Sequence, residues 1–294
     1  MSLRFLRDDA LPHGVAEPAA PLVRRLVCPN PGPFTFRGTN TYLIGRGEVA
    51  VLDPGPADPA HLDALLRATE GERITRILVS HTHRDHSPGA AALQARTGAP
   101  IFGFGPHLTP PGEGGEGGDH DFRPDAALPD GAVVETADWR ATAIHTPGHC
   151  ANHLCFALET GHGAGVLFSA DHVMSWSTSV VSPPDGDMAA YMASLAKLAP
   201  RDDRLYLPGH GPPLPDPAPF VAALAAHRRE REARVLDALR AARRATAAAL
   251  VPAVYGPDLD AKLAPAAARS LLAHLIKLAD EGAAFREGDS FEPR

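Results

Sequence analysis

The sequence predicts an α/β domain followed by a helical one. Three observations carry that prediction. Up to about residue 217, short apolar runs alternate with Gly/Pro turns, the texture of strands and helices on one buried core. From about residue 218 onward the chain reads as mostly helix. Several apolar runs in the first part end in His or Asp: Ser80-His81-Thr82-His83-Arg84-Asp85-His86, Thr146-Pro147-Gly148-His149, Phe168-Ser169-Ala170-Asp171 and Leu207-Pro208-Gly209-His210-Gly211. The expected division is therefore 1–217 and 218–294.

In chain order, the strand candidates are Thr41–Ile44, Val49–Asp53, Ile74–Ser80, Ile101–Phe104, Trp139–His145, Leu154–Leu158, Val166–Ser169 and Leu205–Leu207. Each is a short apolar run of strand length. Helix candidates are Pro59–Ala68, Gly89–Thr97 and Met188–Leu198. Residues 106–131, which contain PPGEGGEGGD, read as a loop able to serve as a lid. Pro-rich 215–220 is a hinge, and a long helix is predicted from Ala218 to Arg244. A second helix starts near Thr246, a third covers Ala266 to Glu281, and GAAFREGDSF closes as a hairpin. Helix, helix, helix, hairpin is the outline of a winged-helix module.

The 294 residues suffice for a sizeable core without staples. No apolar run is long enough for a transmembrane helix. Net charge is −7, from 28 Lys+Arg against 35 Asp+Glu, which argues against nucleic-acid binding over the whole surface. Cys28, Cys150 and Cys155 are too few for a disulfide framework. Met1 to Pro21 carries Asp8, Asp9 and Glu17 and no long apolar stretch, so it does not read as a signal peptide, and a cytoplasmic location is expected.

Fifteen histidines are the compositional oddity. HTHRDH follows the apolar run ITRILV and precedes Ser87-Pro88-Gly89 and an Ala-rich helix, so it occupies a strand-to-helix loop. Such a loop aims several side chains at one point. Imidazole nitrogen and carboxylate oxygen are zinc-type ligands. A lone histidine is usually a core or surface residue; three with an aspartate inside six residues exceed that need. His149, Asp171 and His210, each at a strand end, supply further ligands on a rigid frame.

Over about residues 25–215 these motifs resemble the metallo-beta-lactamase superfamily. The resemblance implies a four-layer αβ/βα sandwich, here with a C-terminal winged-helix-like domain, and a dinuclear site. His81, His83 and His149 would form the first metal site; Asp85, His86 and His210 the second; Asp171 would bridge them. Asp53, in VAVLDPG, would support the metal loop from behind. Two Zn2+ ions per chain, about 3.5–4 Å apart, would share and ionise one water, and Asp85 would orient it and accept its proton. Cys150 lies beside a ligand but has no basic partner, so it is not expected to be the nucleophile.

Within the superfamily, His83 stands where flavodiiron proteins carry Glu, and the bridging Asp171 is absent from true zinc beta-lactamases. The opening motif Asn30-Pro31-Gly32-Pro33-Phe34-Thr35-Phe36-Arg37-Gly38-Thr39-Asn40-Thr41-Tyr42-Leu43, with HTHRDHSPG and the tail, is similar to the beta-lactamase-like protein 2 group over nearly the whole chain. That similarity implies a phosphodiesterase acting on single-stranded RNA. The alternative is hydrolysis of a small thioester or lactone, as in glyoxalase II-like members. Asn40, Thr39 and His172 are candidates for the substrate side. The arginines of 228–244 are either an RNA-binding face or a solvated helix face, and the third tail helix offers Arg269, His274 and Lys277. No membrane partner is expected, and a homodimer is compatible with the sequence.

Overall fold

The computed structural model describes residues 3–111, 117–160 and 165–294. A seven-stranded sheet runs in sequential order through β1 (Glu17–Ala20), β2 (Val23–Val27), β3 (Asn40–Ile44), β4 (Glu48–Leu52), β5 (Arg73–Leu78), β6 (Ile101–Gly103) and β7 (Ala126–Ala127). A six-stranded sheet is built from β8 (Val133–Glu135), β9 (Trp139–His145), β10 (Leu154–Thr160), β11 (Val166–Ala170), β12 (Leu205–Pro208) and β13 (Leu214–Pro215). Parallel neighbours need crossovers. Helix α1 (Pro59–Ala68) links β4 to β5, α2 (Gly89–Thr97) links β5 to β6, and α3 (Met188–Leu198) links β11 to β12.

Both faces of the central strands are buried, which is why they read as unbroken apolar runs. Along β3 and β4, Tyr42, Ile44, Ala50 and Leu52 face the second sheet and meet Phe156, Phe168 and Leu207. Alternate residues Leu43, Val49 and Val51 face outward under α1 and α2, against Leu62, Leu65 and Leu93. The outer face of the second sheet, including Cys155 and Leu167, is covered by Tyr191 and Leu195 of α3. Helix, sheet, sheet, helix is the four-layer sandwich.

The tail contains α4 (Pro217–Ala242), β14 (Ala245–Thr246), α5 (Ala247–Tyr255), α6 (Ala264–Asp280), β15 (Ala284–Glu287) and β16 (Ser290–Pro293), a winged helix whose wing is the sheet β14-β16-β15. Its core is Val235, Leu239, Leu250, Leu271, Leu275 and Phe291. Thr246 caps α5 by accepting the Ala249 amide. Helix α4 serves two cores. Phe220, Val221 and Leu224 pack on the sandwich, and Val235 and Leu239, further along, pack in the winged helix. Among the described residues no helix is long and apolar enough to cross a membrane.

The strands β1, β2, β7, β8, β13 and β14 were not expected from sequence. In β2 the run Val23-Arg24-Arg25-Leu26-Val27 is wholly buried; its two arginines are neutralised by Glu72 at 2.6 Å and Asp9 at 2.7 Å. Of the predicted 106–131 loop, offered as a lid, residues 112–116 lie outside the described residues, and β7 lies inside the rest.

Candidate metal centre

The site lies where strands of both sheets end. The HTHRDH loop follows β5, His149 follows β9, Asp171 follows β11 and His210 follows β12. The structure brings all seven expected side chains together. His81, His83 and His149 form one group, Asp85, His86 and His210 a second, and His81, His86 and Asp171 a third, with ligand atoms in each within 4.8 Å of one another. Asp171 stands between the first two: its Oδ2 is 3.5 Å from His149 Nε2 and 3.5 Å from His210 Nε2.

The donor set fits cations better than protons. His149 Nδ1 sits 2.6 Å from the Val180 carbonyl and His210 Nδ1 3.2 Å from that of Gly38. A carbonyl only accepts, so both rings carry a proton on that outer nitrogen, which leaves the inner nitrogen as the one able to ligate a cation. His83 Nδ1 lies 3.0 Å from His81 Nε2 and 2.9 Å from His149 Nε2. One proton cannot serve three converging nitrogens. Asp171 Oδ1 is buried with no hydrogen-bond partner, a cost that a metal ligand escapes. Burial holds His81 well below the usual imidazole range and His83 at about 3, so both are neutral donors. Burial would also lower His86 and His210, but the Asp85 and Asp171 carboxylates outweigh it and raise both.

Asp53 organises the loop from behind. It follows β4 with φ 52°, a left-handed conformation that Asp and Asn tolerate better than most residues. Its Oδ1 accepts the Ser80 amide at 2.7 Å, and Oδ2 accepts the Ser80 hydroxyl at 2.6 Å and His86 Nδ1 at 3.0 Å. Ser80 Oγ in turn faces His81 Nδ1 at 2.9 Å. One carboxylate thus orients two imidazoles. Asp53→Asn keeps the backbone but puts an NH2 group against donors. We expect bound metal or kcat/KM to fall by about 10–100-fold, measured by metal titration and initial rates; unchanged values would remove the orienting role.

Three expected substrate contacts are corrected. Asn40 donates to the Pro208 and Gly211 carbonyls, each at 2.8 Å, and Thr39 is clasped by Asn30. Both are buried and hold the His210 turn rather than facing substrate. His172 is fully buried with its ring 4.8 Å from Tyr191 of α3. Cys150 is likewise buried, and burial drives its thiol well above the usual range, so it is no nucleophile.

Sequence reasoning missed His153. It is fully buried, meets Thr146 Oγ1 at 2.9 Å through Nδ1, and accepts the Asp171 amide through Nε2 at 3.2 Å, fixing the turn that carries Asp171. It also missed Arg228. The arginine run of α4 is not wholly solvated: Arg229, Arg234, Arg240 and Arg243 are exposed, but Arg228 is not. Arg228 is buried, stacks 5.1 Å over Tyr191 and donates to the Ser179 carbonyl, while the Ser179 hydroxyl donates to the Asp171 carbonyl. No sequence signal distinguished it from its neighbours.

The centre floors a cleft of about 440 Å³. Phe34, Met174 and Val180 give it an apolar wall, and Asp85, with its side chain 29% exposed, is the most open of the carboxylates. Such a site can hold cations at its base and admit a small acyl group.

Residues 34–210 match the family model of the metallo-beta-lactamase superfamily, and residues 246–292 match the beta-lactamase associated winged helix domain. The atrochrysone carboxyl ACP thioesterase of Passalora fulva is 31% identical over 276 residues, covering 90% of this chain and 78% of that protein. A second, from Paecilomyces divaricatus, is 30% identical and covers 92% and 84%. A beta-lactamase domain protein from Burkholderia ambifaria superposes with a TM-score of 0.80 at 24% identity, covering 98% and 96%. A metallo-beta-lactamase family protein from Thermus thermophilus gives 0.73 at 25% identity, covering 94% and 99%.

Proposed function

We propose that this chain, which belongs to the metallo-beta-lactamase superfamily and is a hydrolase, cleaves thioesters of small acyl groups with two divalent cations, zinc in the first instance. His81, His83 and His149 would hold one, Asp85, His86 and His210 the other, and Asp171 would touch both. The cations, when bound, ionise water near neutral pH and take up negative charge developing on the carbonyl oxygen. The observation that carries the reading is the convergence of these seven side chains at the floor of an apolar-walled cleft, in a chain whose relatives include thioesterases.

The chain's own groups then have defined work. Phe34, Met174 and Val180 receive the acyl group. Asp85, at the cleft surface, orients the attacking water and takes its proton. The water oxygen bonds to the carbonyl carbon, the carbon–sulfur bond breaks, and the thiol leaves with the proton restored. Cys150 takes no part.

The RNA reading, and with it the narrower beta-lactamase-like protein 2 resemblance, asks for a presented basic face. Helix α6 does not offer one. His274 is buried on Glu232 at 3.1 Å, and Lys277 pairs with Glu232 and Glu281. On α4, Arg231 lies 4.1 Å over Tyr255 and Arg244, just past its end, pairs with Glu287 and Glu292, while Arg229, Arg234, Arg240 and Arg243 stay exposed. The thioester reading therefore stands first.

The test is a panel of an acyl thioester, a lactone and single-stranded RNA with zinc-loaded protein, beside Asp85→Ala. We expect about two equivalents of metal and thioester cleavage that falls by about 10²–10⁴-fold in the variant. Chelation should abolish it and zinc restore it. Full thioester activity in metal-free protein, or RNA cleavage lost in Asp85→Ala with the thioester untouched, would sink the proposal.

A further inference from the structure

Residues 172–187, between β11 and α3, belong to no helix or strand. No sheet ladder fixes such a segment, so its backbone groups need other partners. Two neighbouring residues within it hold two parts of the metal centre. The Ser179 hydroxyl donates to the Asp171 carbonyl at 2.5 Å and lies 2.8 Å from the His172 carbonyl. The Val180 carbonyl accepts from His149 Nδ1 at 2.6 Å. Asp171 is the proposed bridging ligand and His149 a ligand of the first site. A displacement of Ser179 and Val180 would therefore turn both donors at once.

The hold on this segment comes from the tail. Arg228 of α4 donates through Nη2 to the Ser179 carbonyl. Its guanidinium lies 5.1 Å over the Tyr191 ring, and the Tyr191 hydroxyl donates to the His172 carbonyl at 2.9 Å. Arg228 is only 4% exposed. A buried guanidinium is costly unless its donors are used, and here one goes to the backbone of the very segment that orients two ligands. Along α4, Arg228 stands between Leu224, which packs on the sandwich, and Val235, which packs in the winged helix. Packing on both sides gives the guanidinium a fixed base.

Resting on the metal-centre reading, we propose that Arg228 is a positioning residue. Through Ser179 and Val180 it sets the orientation of Asp171 and His149, so the helical tail governs how tightly the cations are held. An arginine that only pinned α4 to the sandwich would affect stability and the yield of folded protein. It would leave the zinc affinity of the folded molecules unchanged.

The test is zinc retention by the zinc-loaded full chain against a graded chelator of known affinity. It is run on the unaltered protein, Arg228→Met, Arg228→Lys and Ser179→Ala. Met keeps an apolar stem and removes every donor, while Lys keeps the charge and an N–H donor. Arg228→Met should hold zinc about 10–100-fold less tightly, and Arg228→Lys should recover part of the loss. Ser179→Ala leaves the buried arginine in place and cuts the link to Asp171; it should weaken retention by about 10-fold. An unfolded fraction lowers the amplitude of each curve and leaves its midpoint in place. An unmoved midpoint in Arg228→Met, even with a lowered melting temperature, overturns the proposal. Where that variant does not accumulate as folded protein, an unmoved midpoint in Ser179→Ala overturns it. An unaltered chain that retains no zinc would instead remove the parent reading.

Discussion

Asp171→Asn should lower kcat/KM by about a thousandfold, a loss of roughly 4 kcal/mol of transition-state stabilisation. The carboxylate is surrounded by His86, His149 and His210 at 3.5–3.6 Å, and one of its oxygens is buried without a hydrogen-bond partner. Asn keeps the volume but removes the charge and turns an NH2 toward groups that already include donors. Both cations should bind less tightly, so elemental analysis should find well under two equivalents. The backbone anchors of the turn, His153 on the amide and Ser179 on the carbonyl, do not depend on the side chain. The melting temperature of metal-free protein should fall, because the carboxylate raises the pKa of buried His86 and His210, so rates and metal content are compared on folded protein. A variant with full metal and full activity would remove Asp171 from the centre.

The second large effect is steric. Gly209 lies between Pro208 and His210, and a methyl group there would sit 2.3 Å from Asp171 Oδ1 and 2.8 Å from His86 Cε1. No rotamer change of the alanine relieves this, because a Cβ has none. The neighbours that must yield are two of the proposed ligands. A displacement of about 1 Å at a reacting centre costs on the order of 10²-fold in rate. Gly209→Ala should reach at least that loss in kcat, with lowered metal content. The readouts are initial rates and metal stoichiometry, with circular dichroism confirming the fold. Normal turnover would show that the turn can shift without moving the carboxylate or the imidazole.

Much of this architecture is legible in the amino-acid sequence. The strands β3, β4, β10 and β11 are apolar enough on both faces to announce themselves, and a histidine-rich loop after β5 points directly to a metal. What escaped was set by direction and partnership. Arg24 and Arg25 made β2 look unlike a strand, because their charge is cancelled by residues distant in sequence. β7 and β13 are two residues long and are defined only by their neighbours. His172 follows Asp171, and Thr39 and Asn40 belong to the entry motif, yet all three side chains are buried in the scaffold. His153 opens no motif and shows its role only through the amide it receives. The α4 arginines illustrate the same limit: a helical period says which residues share a face, but Tyr191 and Ser179 decide what covers it.

A 26-residue helix is about 39 Å of stiff rod. In α4 one end is cemented into the sandwich and the other into the winged helix, with no proline between them beyond its first turn. Swinging one half against the other would require snapping that rod, so the two halves cannot act as jaws. The spacing of the two cores along that helix is then built in, like the fixed gap of a caliper.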